Sequence, residues 1–175
     1  DFEEPIARYY AKKRGVEVFG DGRTTLVHPD DPFFGCTPDR FVGGDLLSPS
    51  LERIAQIKGV GWYASREWGM PHTDAVPDGY RAQVTQELAI VNAIRERHDL
   101  APVLVCDVVR FTWGRDETIY PVPFDRELWE ILRDLGHRFM RDHVLANRPP
   151  EMDGSDGAWR YLQARFLAQP ALKLH

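Results

Sequence analysis

The sequence predicts an α/β fold in which helices pack a mixed central sheet. Three observations carry that prediction. Apolar periodicity along the chain changes in the order helix, strands, helix, strands, helix, the alternation expected of an α/β layer architecture. The stretch from Tyr80 to His98 sets Tyr80, Val84, Leu88 and Val91 on one helical stripe, with Gln83, Gln86 and Ile90 on a neighbouring one. Finally, 175 residues with 43% hydrophobic and 28% charged side chains suit one domain with a sizeable core.

Each element has a local reason. Residues 1–14 place acids first and Lys12, Lys13 and Arg14 last, matching the helix dipole, and Gly15 is a natural stop. Val16 to Phe19 and Arg23 to His28 read as short strands around a hairpin-like turn, Gly20-Asp21-Gly22. Phe33 to Val42 and Leu51 to Gly59 are the next strands, and Gly59 to Gly79 is a long loop, a length that often marks function. Val103 to Trp113 and Glu117 to Val122 are strands around Gly114-Arg115-Asp116. Asp125 caps a long amphipathic helix reaching about Asn147. The expected organisation is a single domain over 1–175, with 149–157 linking to a last helix near Ala158 to Ala168.

Composition excludes several classes. A net charge of −5 argues against coating nucleic acid by bulk electrostatics, while leaving room for a locally basic groove. No apolar run reaches the roughly 18–20 residues of a membrane span, so the expectation is a protein without membrane association, located in the cytoplasm. Cys36 and Cys106 lack CxxC spacing and read as buried, reduced residues. His28, His72 and His98 are too scattered for zinc. There is no GxGxxG and no P-loop.

The chemistry-bearing pattern lies on two successive strands. Alternation turns Ile54, Gln56 and Lys58 to one face and Ala55 and Ile57 to the other, which is the expected packing face. If the strand with Asp39 pairs alongside, an acid, an amide carbonyl and an ammonium meet in one small volume. Oxygen donors of this kind suit Mg²⁺, and a lysine beside a cation can orient or deprotonate a water. A solvated strand face explains the same residues more simply, and both readings stand at this level.

Pro38-Asp39 followed by Gln56-Ile57-Lys58 resembles the core motif of PD-(D/E)XK, restriction-endonuclease-like nucleases. The surroundings are similar to the YqaJ and lambda-exonuclease-like viral recombinase branch: Glu4-Pro-Ile-Ala-Arg-Tyr-Tyr10, Cys36-Thr-Pro-Asp39, a Trp-containing loop, then Tyr80-Arg-Ala-Gln83-Val84. The resemblance covers the chain to about Asp153. It implies a Mg²⁺- or Mn²⁺-dependent deoxyribonuclease, a phage-type recombination exonuclease acting on DNA ends. It further implies Glu4, Asp39, Gln56 and the Ile57 carbonyl as metal ligands, Lys58 positioning the water, and Gln83 steadying the site. Gln56 departs from the branch, which usually carries Glu there. Members also carry helical sequence ahead of the Glu4 position, so an N-terminal helical portion is expected to be missing before Asp1.

For DNA contact the candidates are Arg66, Arg81, Trp62, Tyr63 and Trp68. The aromatics suit stacking on splayed bases, and equally suit folding the loop back on the core. Glu4 is also what a first helical turn favours, and Lys58 is also a common edge-strand charge. Family partners extend the expectation to DNA, a single-strand annealing recombinase and a trimeric ring. An endonuclease of the same fold and a non-cutting DNA- or recombinase-binding protein are the alternatives, the latter favoured by Gln56.

Overall fold

The computed structural model describes residues 3–61, 63–112 and 117–165. Two compact units divide the chain, Asp1–Gly136 and His137–His175. The first is a five-stranded mixed sheet with helices on its faces. Its elements are α1 (Glu3–Arg14), β1 (Val18–Phe19), β2 (Leu26–Val27), β3 (Gly35–Cys36), β4 (Arg40–Val42), β5 (Arg53–Val60), α2 (Asp78–Glu96), β6 (Val105–Thr112), β7 (Glu117–Pro123) and most of α3 (Arg126–Phe139). A short 3-10 turn, Ala64–Glu67, lies between β5 and α2. The strand order is β1-β4-β5-β6-β7, with β5 and β6 parallel and the other pairs antiparallel.

The parallel pair requires a crossover, and α2 supplies it. Ile54, Val84, Leu88, Val91, Val108 and Tyr120 make the core under α2. Ile6, Ala7 and Tyr10 of α1 cover the opposite face, over Ala55, Ile57 and Val109. Both faces of β5 are therefore packed. Gln56, expected on a partly solvated face, lies 1% exposed under α2. Helix α1 is further tied down by buried Asp107 of β6, which accepts a hydrogen bond from Tyr10 (2.6 Å) and one from Arg53 (3.0 Å).

Three expectations change. The segment Phe33 to Val42 is not one strand. Its first part pairs with β2 in a separate two-stranded sheet, and its second enters the main sheet between β1 and β5. Pro38 sits at the break, where a residue without an N–H cannot continue a ladder. Likewise the Gly20-Asp21-Gly22 segment closes no hairpin: β1 pairs with β4 and β2 with β3. Gly20 and Gly22 both have positive φ (84° and 68°) and redirect the chain from one sheet to the other. The long helix after Asp125 keeps its cap, the Leu128 N–H donating to Asp125 Oδ1 at 2.9 Å, but its α-helical part ends at Phe139.

The second unit continues from there with a π-helical stretch, Met140–Leu145, and, after Pro149-Pro150, α4 (Asp156–Arg165). Ser155 caps α4 by accepting the Ala158 N–H (3.2 Å), so this helix opens two residues before the expected Ala158. Cys36 and Cys106 are buried free thiols, and burial pushes Cys36 up to about 12.

Candidate active site

Strand β4 ends its pairing with β5 at Arg40 opposite Ala55. Beyond that point Ile57 has lost a backbone partner on this side, and the Asp39 carboxylate replaces it, Oδ2 accepting the Ile57 N–H at 2.6 Å. Pro38 thus breaks the ladder and Asp39 caps it, which fixes the acid against the middle of the Gln56-Ile57-Lys58 run. Burial raises the Asp39 pKa, while the Ile57 N–H and the Lys58 charge pull it back down.

Next to it, Lys58 Nζ donates to Gln56 Oε1 and to Gln83 Oε1, both at 3.0 Å, and lies 5.3 Å from the Tyr80 ring centroid. The ammonium is held by two amide oxygens and an aromatic face, not by a carboxylate. The structure therefore brings together Asp39 from just before β4, Gln56, Ile57 and Lys58 from β5, and Gln83 from α2. They gather toward the carboxyl end of β5, beside the parallel strand β6, where open α/β sheets place their ligands.

Glu4 stands at the rim. Its carboxylate accepts from Arg8 Nε and from an Arg40 guanidinium nitrogen, each at 2.8 Å, and these two arginines hold its pKa down. The same Arg40 donates to the Asp39 carbonyl at 2.6 Å, so Glu4 reaches the corner through arginine. Gly22 lies against this junction: an added Cβ would sit 3.3 Å from Glu3 Oε2, 3.4 Å from Arg40 and 3.5 Å from the Asp39 Cα.

The DNA-contact candidates separate. Trp68 is buried, with its ring 5.2 Å from that of Tyr80 and 5.0 Å from that of Tyr120. For Trp68 the loop folds back on the core, and base stacking is ruled out by burial. Tyr63 is 80% exposed, with exposed Arg66 lying 5.6 Å from its ring. Arg81 donates to the Asp74 carbonyl (2.6 Å) and bridges its carboxylate (3.5 Å), bracing the loop. Trp62 lies outside the described residues.

Three contributors escaped the sequence analysis. Arg40 links Glu4 to Asp39. Arg110 is the register partner of Lys58 on β6, and its guanidinium lies 5.5 Å from the Trp68 ring and 5.4 Å from that of Tyr120. The third is Glu87, 2% exposed on α2. Its Oε1 accepts from Gln56 Nε2 (2.9 Å) and Gln83 Nε2 (2.8 Å). Burial pushes its carboxyl up to about 7, with the two amides opposing and Asp39 adding to the rise. The signal was present: Glu87 is four residues after Gln83, one helical turn along the same face. It was masked because a buried glutamate on an apolar stripe cannot be told from an exposed one beside it.

Chemically the corner offers hard oxygen donors: one carboxylate, an amide oxygen and a backbone carbonyl. That set fits a divalent cation of the Mg²⁺ type, which uses one or two protein carboxylates and completes its shell with water and phosphate. Among the described residues no three Asp, Glu, His or Cys groups converge into a ready-made metal cluster.

A model of the YqaJ-like viral recombinase domain matches residues 1–93. The chain belongs to that family. The uncharacterized protein YqaJ of Bacillus subtilis (strain 168) is 24% identical over 164 residues, 94% of this chain and 46% of that protein. The chain thus spans under half the length of this curated relative. Among solved structures, the alkaline exonuclease LHK-Exo of Laribacter hongkongensis aligns with a TM-score of 0.61 and 18% identity, covering 81% of this chain and 64% of the exonuclease. Its complex with dAMP gives 0.62 and 17%, covering 94% and 69%. The YqaJ-family chain shares the α/β fold of these exonucleases.

Proposed function

We propose that this YqaJ-family chain is the nuclease core of a phage-type recombination exonuclease, hydrolysing DNA phosphodiesters at DNA ends with Mg²⁺ or Mn²⁺. The observation that carries the reading is Lys58 suspended between the Gln56 and Gln83 amide oxygens, next to Asp39 on the adjoining strand end.

In this reading Asp39, Gln56 Oε1 and the Ile57 carbonyl would hold the cation, and Glu4, now bonded to Arg40, would serve from the rim. The cation supplies charge stabilisation for the oxygens of the scissile phosphate. Lys58 orients the attacking water. Gln83 keeps Lys58 aimed. Tyr63 and Arg66 are the solvent-facing DNA contacts, with Trp62 beside them in sequence, and Arg81 acts by bracing their loop. The solved exonucleases that share this fold, one of them in complex with dAMP, support DNA as the substrate. A single-strand annealing recombinase as partner, a trimeric ring and a cytoplasmic location complete the reading. No helix among the described residues is long and apolar enough to cross a membrane.

End-labelled linear and closed circular DNA, incubated with Mg²⁺ or Mn²⁺, test this directly. Loss of linear DNA alone, absent in Lys58→Ala, is the expected result. Nicked circles move the assignment to an endonuclease. A folded protein that leaves both intact makes this a DNA- or recombinase-binding member, the reading that the neutral Gln56 favours.

A further inference from the structure

Resting on the reading that the corner holds a divalent cation, we propose that Glu87 is the positioning residue that makes Gln56 and Gln83 serviceable there. It supplies from α2 the negative charge that β5 lacks at position 56.

An amide has two ends of similar shape and opposite character, an oxygen that accepts and an NH₂ that donates. A cation site tolerates only the oxygen end. Nothing in the length or branching of glutamine selects which end faces the pocket, so its neighbours have to: the donor-only Lys58 ammonium in front, Gln83 Nε2 donating to Gln56 Oε1 at 3.2 Å, and an acceptor behind that holds both NH₂ groups. Glu87 is that acceptor for both side chains. Its Oε1 takes Gln56 Nε2 at 2.9 Å and Gln83 Nε2 at 2.8 Å. Both Oε1 atoms are thereby turned toward the Lys58 ammonium, at 3.0 Å each. An ionised carboxylate is acceptor-only, so it rejects the reversed orientation of either amide.

Charge balance points the same way. Asp39 as a carboxylate and Lys58 as an ammonium cancel, so only the carboxylate form of Glu87 gives these side chains a net negative charge, and removing Glu87 leaves none. A neutral pocket has little attraction for a divalent cation. Glu87 also keeps an oxygen, Oε2, that is buried and has no hydrogen-bond partner among the described residues. Leaving a buried carboxylate half-satisfied is costly, and core packing alone gives no reason to hold one under α2. A cation one residue away offsets that cost. Outer partners that orient ligating groups typically govern metal affinity by about 10- to 100-fold.

The test is Mn²⁺ binding to the intact chain, read from the electron paramagnetic resonance signal of free Mn²⁺. Wild type is compared with Glu87→Gln and with the exchange Gln56→Glu/Glu87→Gln, which returns the carboxylate to the strand and gives the helix the amide. Glu87→Gln is expected to weaken binding at least tenfold and the exchange to restore it to within about threefold. A folded Glu87→Gln that binds within twofold of wild type overturns the inference, as does a folded exchange variant that fails to bind. A second readout needs no variant: in Mg²⁺-loaded wild type, both glutamine NH₂ groups should show couplings across hydrogen bonds to the Glu87 carboxyl carbon, and their absence with Mg²⁺ bound also overturns it. Wild type that binds neither ion removes the metal reading itself and the role of Glu87 with it. Undiminished binding in Glu87→Gln removes the role of Glu87 alone.

Discussion

Gln56 on β5 donates to Glu87 on α2 at 2.9 Å, a bond between two polar side chains in the floor of an apolar layer. Both are nearly inaccessible, and the glutamate keeps a raised pKa of about 7 because burial disfavours its charge. A folded-state pKa above the unfolded value means that the native protein holds a proton the unfolded chain has released. The associated stability is complete below the unfolded value near 4.5 and is lost as pH rises to about 7, on the order of 3 kcal/mol across the window. In Glu87→Gln that decline should disappear. Urea unfolding in EDTA from pH 5 to pH 8.5 checks it: wild type loses stability toward the alkaline end, and the variant loses less.

Lys58→Met keeps the stem that reaches past Tyr80 but removes the ammonium held by Gln56 and Gln83. Cleavage of linear DNA should fall by about 10²-fold or more, the scale of a mispositioned attacking group. Thermal unfolding of the variant should change little. A variant cleaving within a few-fold of wild type would exclude Lys58 from the chemistry.

At Asp39 the structural role and the proposed catalytic one separate. Asp39→Asn keeps an oxygen for the Ile57 N–H, now bonded at 2.6 Å, whereas Asp39→Ala leaves that N–H without its partner. The alanine variant should lose about 1–3 kcal/mol of stability and the asparagine variant distinctly less. Cleavage should be lost in both. Denaturant titrations beside the cleavage assay read the two effects independently.

Tyr10→Phe is a control far from the site chemistry. It removes the hydroxyl that donates to buried Asp107 at 2.6 Å, a charge-assisted bond between α1 and β6. Stability should fall by about 1.5–3 kcal/mol, and specific activity per folded molecule should remain at the wild-type level. Loss of activity at full folding would show that the seating of α1 also sets the position of Glu4.

Gly22→Ala probes the rim. The residue needs φ of +68°, and a Cβ would press on Glu3 and Arg40. The backbone alone costs about 1–2 kcal/mol. Differential scanning calorimetry should show a lowered Tm, with a wild-type Tm marking a loop that yields freely.

Local chemistry was enough to indicate the α/β class, the β5–α2–β6 run and the shared face of Gln56 and Lys58, whereas Gln83 entered the site only through the family resemblance and Asp39 was expected inside a continuous strand. Helical and strand periods, Asp125 as a cap and the Gln56-Ile57-Lys58 spacing are properties of near neighbours along the chain. Only the tertiary structure decided what long-range pairing controls. Pro38 splits one expected strand between two sheets because its partners, β2 and β5, lie on opposite sides of it in sequence. Trp68 is core because Tyr80 and Tyr120 enclose it from distant elements. Glu87 meets Gln56 only because a parallel crossover lays α2 over β5, 31 residues away in sequence. Burial, which raises the pKa of Glu87, is a property of the packed layer and of no residue in it alone.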